Sequence, residues 1–185
     1  MGSEHNMLFG NPEKFAFVIE KVPEWSDESF ANGLLYVFIK WEMYPNEVRN
    51  TTLSDDLQFL LDKERPYGMY YLVNDENLYA LPDEELFAEL RRVRCPWLFL
   101  DDDDEDQFPD EDYRFDLDLD ELSLARYHVF AVSNGERVRI LIGHWENNES
   151  FELVNSVEIT LEEFTKIRDE LWEYYVKEIR GGQHG

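Results

Sequence analysis

The chain has 185 residues, of which 43% are hydrophobic and 15% aromatic, enough to bury a core and too aromatic for a disordered acidic chain. Against 17 Lys and Arg stand 42 Asp and Glu, a formal net charge of −25, which repels nucleic-acid phosphates and anionic lipid and favours a basic partner. One cysteine, Cys95, excludes an internal disulfide framework and fits a reducing compartment. No apolar run is long enough to span a membrane, and Met1 to Met7 lacks the apolar stretch of a signal peptide, so the expected location is the cytoplasm.

In chain order, Phe15–Ile19 and Leu34–Ile39 are short aromatic and β-branched runs that read as strands, the second apolar enough to be buried on both faces. Phe9-Gly10-Asn11-Pro12 reads as a turn feeding the first of them. Pro23–Asp27 and Asn32-Gly33 supply turn chemistry, and Trp41–Tyr44 reads as a further strand. Ser54-Asp55-Asp56-Leu57 opens a helix with a Ser cap and first-turn acids, carrying Leu57, Leu60 and Leu61 on one face until Pro66-Tyr67-Gly68. A second helix starts at Pro82-Asp83 and runs through Leu86, Phe87, Leu90 and Val93. Its Arg91, Arg92 and Arg94 suit the negative C-terminal end, and Cys95-Pro96 stops it.

Tyr127–Val132 and Val138–Ile142 flank Asn134-Gly135, a hairpin signal in which both central residues accept positive φ. A strand over Ser150–Ile159 follows. Thr160-Leu161-Glu162-Glu163 is a capping box, and Phe164, Ile167, Leu171, Tyr174 and Tyr175 follow at helical spacing until Gly181-Gly182. The expected fold is α+β: one domain over 7–180, an antiparallel sheet or sheets, two mid-chain helices, and a long C-terminal helix on the core. Residues 1–6 and 181–185 are expected to be tails.

Half of the charge is in one place. Between Asp101 and Glu121 there are thirteen acidic residues and one basic residue, Arg114, a net charge of −12 in 21 positions. Asp101-Asp102-Asp103-Asp104-Glu105-Asp106 reads as a solvated loop, since adjacent like charges suit neither helix nor strand. Asp110, Glu111 and Asp112 continue it. Phe115–Asp120 alternates strictly, so a strand there would turn Phe115, Leu117 and Leu119 inward and Asp116, Asp118 and Asp120 outward.

Three readings of the segment compete: a solvated loop with no dedicated partner, a metal site, or a docking surface for a basic cleft. Asp101, Asp103 and Glu105 resemble the first ligands of a calcium loop, but Asp106 stands where Gly is needed and Asp112 where Glu is needed. A docking surface would use carboxylates to speed and select encounter with a partner's Lys and Arg. Its candidate residues are Asp101–Asp106, Asp110, Glu111, Asp112, Asp116, Asp118 and Asp120.

Nothing points to catalysis or to a cofactor. Cys95 has no phosphate-binding loop nearby and reads as a buried thiol, and His5, His128, His144 and His184 are scattered. His128 and His144 lie on opposite arms of the hairpin, a weak zinc signal without a Cys ligand. There is no glycine-rich phosphate loop and no zinc-protease or nucleophile-elbow motif.

Met7-Leu8-Phe9-Gly10-Asn11-Pro12-Glu13-Lys14-Phe15-Ala16, Pro23-Glu24-Trp25, Asn32-Gly33-Leu34, Tyr44-Pro45 and Thr51-Thr52-Leu53 together resemble the immunity protein 42 family of bacterial polymorphic toxin systems. The resemblance is strongest from Met7 to about Leu57 and fainter through His128–Ala131 and the final helix. It implies a small intracellular protein that binds the C-terminal domain of a toxin encoded beside it, including toxins of contact-dependent inhibition. The expected assembly is a monomer in a 1:1 complex. It carries over no binding residues. A basic nuclease cleft filled by the acidic segment is the mechanism expected from it. The alternatives are a nucleic-acid mimic or acidic chaperone for a basic protein, and a calcium-responsive module.

Overall fold

A computed structural model describes residues 6–99, 110–117 and 119–181. Strands β1 (Asn6–Asn11), β2 (Phe15–Lys21), β3 (Asn32–Ile39), β4 (Glu42–Tyr44) and β5 (Thr51–Thr52) form an antiparallel sheet in the order β1-β2-β3-β4, with β5 also on β3. Helices α1 (Leu53–Leu61), α2 (Glu76–Tyr79), α3 (Asp83–Arg94) and α4 (Asp120–Leu124) follow. A second antiparallel sheet, β6 (Tyr127–Ser133), β7 (Arg137–Trp145) and β8 (Phe151–Thr160), leads into α5 (Leu161–Tyr174), which continues as a π-helical turn to Arg180. The fold is the expected single-domain α+β arrangement.

Each face of the second sheet packs against something different, and the two-residue period of its strands sorts the side chains between them. Val129, Ala131, Val138, Ile140 and Ile142 join the main core with the first sheet, α1 and α5. Phe130, Val132, Leu141 and Phe151 join a smaller core with Leu86, Phe87 and Leu90 of α3. Hence β6 and β7 read as almost continuous apolar runs. Gly143 permits this packing, since a Cβ there would lie 2.5 Å from both Phe151 and Phe87.

α5 forms as its capping box demands: Thr160 accepts from the Glu163 amide at 3.0 Å, and Glu163 accepts from the Thr160 amide at 2.8 Å. Phe164, Ile167 and Leu171 are buried beneath it.

Several local expectations are corrected. Met7–Asn11 is a strand, with the turn beginning at Pro12, because the segment pairs residue by residue with β2. Asn32-Gly33 begins β3 and does not turn; a Cβ on Gly33 would lie 2.0 Å from the Glu20 carbonyl, so glycine serves close strand approach. Trp41 stands in the β3–β4 turn at φ +69°, outside the strand expected for it. Thr52, not Ser54, precedes α1, and Ser54 lies buried inside the helix. At the β6–β7 turn Gly135 takes positive φ (+92°) without Asn134, whose Oδ1 instead accepts from the amides of Glu136 and Arg137.

Candidate functional site

Of the twelve candidate carboxylates, Asp101–Asp106 and Asp118 lie outside the described residues. The other five fall on a strap, 110–117, and on the first turn of α4. The strap crosses the C-terminal end of α3, where the Asp112 amide donates to the Val93 carbonyl at 2.9 Å. It then meets β6: the Leu117 amide donates to Val129 and the Ala131 amide to Phe115, with an antiparallel bridge between Asp116 and Phe130.

Phe115, Leu117 and Leu119 are buried, as the alternation implied, but among the described residues a single bridge forms in place of a strand. Asp116 is a correction. It is 5% exposed and faces inward. Arg94 draws it there, its Nε donating to Asp116 Oδ2 at 2.8 Å while Nη1 donates to Glu111 Oε2 at 2.6 Å. The same guanidinium lies 4.1 Å from the ring centre of Tyr113. Arg94 therefore serves as a three-way clasp for the strap. The sequence showed it only as a helix-terminal base, a role that a distant carboxylate outcompetes once both are buried.

Asp112 engages Arg114 through two hydrogen bonds to Nε and one to Nη2, and these hold its carboxyl below the usual range. Asp110 and Asp120 are exposed, with no Lys or Arg in ion-pair range among the described residues.

A second anchor, also hidden in the sequence, holds the far end. Asp56 of α1 is 1% exposed, and its Oδ1 accepts from the Asp120 amide at 2.6 Å and more weakly from Glu121 at 3.4 Å. It caps α4 from 64 residues away and also accepts the Thr51 hydroxyl. Burial pushes its carboxyl up to about 6, while those three hydrogen bonds pull the other way. Glu121 is tied to Arg49 at 2.5 Å. Arg94, Arg114 and Arg49 thus neutralise Glu111 with Asp116, Asp112, and Glu121 in turn.

The remaining reactive groups are quiet. Burial pushes the Cys95 thiol up to about 12, so it stays protonated at neutral pH. Burial also lowers His128 to about 4, leaving a neutral imidazole set edge-on to Phe151. His144 is paired with Tyr127 across the hairpin, not with His128. Among the described residues there is no cluster of His, Cys, Asp and Glu able to hold a metal, and no helix long and apolar enough to cross a membrane.

A family model described as Immunity protein 42 matches residues 7–174 of this chain. A similar solved structure is the crystal structure of CdiI from Burkholderia dolosa AUO158, which shares 28% identity and covers 90% of this chain and 99% of its own, with a TM-score of 0.68. No curated protein matches.

Proposed function

The chain belongs to the immunity protein 42 family, and from that premise we propose that it neutralises a cognate toxin of a contact-dependent inhibition system by binding the toxin's C-terminal domain. The family match over nearly the whole folded region carries this reading, and the likeness to a CdiI over 90% of the chain supports it. The protein acts by binding, without catalysis, in the cytoplasm of the cell that makes it, as one copy per toxin domain.

The toxin domain is a nuclease with a basic substrate cleft, and the acidic segment fills that cleft. Charge supports this: the segment carries about half of a net charge of −25. The contacting carboxylates are Asp101–Asp106, Asp110, Asp118 and Asp120, with Glu111 and Asp112 at the margin because arginines of the same chain hold them. Asp116 belongs to the anchor, not to the contact surface.

Co-expression of the toxin domain encoded beside this gene tests the function. Cells making both proteins should grow, and purified toxin domain should lose nucleic-acid cleavage at one equivalent of this chain. Growth arrest despite soluble expression of both sinks the reading. Rescue of growth without any nuclease activity in the toxin sinks only the choice of toxin chemistry.

A further inference from the structure

Beside the N-terminal root of the acidic segment, three aromatic rings lie nearly parallel. Phe151 is fully buried, Trp145 stacks on it at 4.6 Å and 6°, and Trp97 lies parallel to Trp145 at 6.5 Å and 5°. Trp97 is 39% exposed, and Phe99 two residues on is 50% exposed. Two large rings this exposed and this close in the chain are candidates for an interaction surface.

Three rings in this part of the chain carry a guanidinium: Arg91 lies 5.5 Å from Phe99, Arg94 4.1 Å from Tyr113, and Arg114 5.7 Å from Phe115. Trp97, whose indole is the best cation acceptor of the set, has no cation of this chain over it among the described residues.

Glutamates lie close to the platform in the chain. Glu146, Glu149 and Glu152 flank Trp145 and Phe151, and no Lys or Arg occurs between Arg139 and Lys166. The cations close by are Arg91, occupied with the Phe151 carbonyl and Glu152, and Arg126, which donates to the Glu146 carbonyl. Since Trp145 rests on a buried ring, the platform is already ordered, and docking a cation on it costs little side-chain entropy.

We propose that Trp97, backed by Trp145, is the aromatic anchor of the toxin interface and receives an Arg or Lys side chain of the toxin domain on its free surface. This rests on the immunity reading and adds to it a located, non-carboxylate contact. The acidic segment supplies long-range attraction and Trp97 supplies the short-range contact that slows dissociation, as buried aromatic anchors do in other interfaces.

The test is the affinity of the toxin domain encoded beside this gene for wild type, Trp97→Ala, Trp97→Leu and Trp97→Phe, with melting temperatures for all four. Trp97→Ala and Trp97→Leu should each weaken binding about tenfold or more. Trp97→Phe, which keeps a ring over Trp145, should recover most of the affinity and guards against a folding defect in the others. Full affinity in Trp97→Ala overturns the anchor. Full affinity in Trp97→Leu, with loss in Trp97→Ala, overturns the cation and leaves only an apolar contact. If wild type itself forms no complex, the immunity reading falls and the anchor falls with it, whereas a complex indifferent to residue 97 removes the anchor alone.

Discussion

Two segments close the core from outside, α5 and the strap that leads from residue 110 into α4, and they are held by different means. α5 is held by Phe164, Ile167, Leu171 and Tyr174, with ion pairs such as Lys14–Glu163 only at its solvent side. Each such buried side chain is worth about 1.5–3 kcal/mol, with little dependence on salt or pH. The strap also buries Phe115, Leu117, Leu119 and Leu122, but between them it is locked by charge at two points, Asp116 on Arg94 and α4 on Asp56. Apolar contact holds a segment wherever volumes match, while a buried ion pair fixes one register at a cost in desolvation. A segment of net charge −12 that repels itself gains most from a fixed register at its roots.

The largest expected effect comes from breaking the clasp. Arg94→Ala leaves Asp116 buried without its arginine and should cost about 3–5 kcal/mol in urea unfolding. Replacing the pair together, Arg94→Met with Asp116→Leu, should recover most of that loss. Equal losses in the single and double variants would show that the charge pair is not the lock. On the other side, Leu171→Ala should cost about 2–5 kcal/mol through the cavity it opens. Its cost should stay the same from low to high salt; a cost that changes with salt would blur the contrast between the segments.

Asp56 provides a pH test. Its folded-state value, about 6, lies above the ordinary 3.8, so between these limits the folded protein binds more protons than the unfolded chain. Its contribution to stability is therefore lowest above about pH 6 and rises as pH falls toward about 4. Wild type should gain melting temperature relative to Asp56→Asn as pH drops from about 7.5 to about 5, the other carboxylates being common to both. A constant difference across that range would show that burial does not raise the Asp56 carboxyl. The smallest effect is at the α5 cap, where Thr160→Ala should cost about 1 kcal/mol in thermal unfolding and leave the strap untouched.

How much of this could be read beforehand follows from the range of each interaction. The capping box at Thr160, the α3 apolar stripe and the β6–β7 hairpin are local patterns, and they appear where the residues place them. Phe9-Gly10-Asn11-Pro12 reads as a turn because Gly10 and Asn11 are turn residues by preference, while the pairing of β1 with β2 through Asn11 is a tertiary effect. The alternation over Phe115–Leu119 correctly buried the apolar residues. It failed for Asp116, because a buried arginine 22 residues away reverses the usual preference of a carboxylate for water. Asp56 looked like an ordinary first-turn acid for the same reason, its partner being the Asp120 amide on another helix. Single-residue chemistry was legible, and long-range pairing between charged groups was not.

The direct measurement of the central claim is the affinity for the neighbouring toxin domain across a salt series, comparing wild type with a chain in which Asp101 to Asp106 are changed together to Asn and Gln. Wild type should bind tightly at low salt and lose affinity steadily as salt rises. The neutralised chain should bind more weakly at low salt and respond less. Equal affinities for the two chains at every salt concentration would contradict the account.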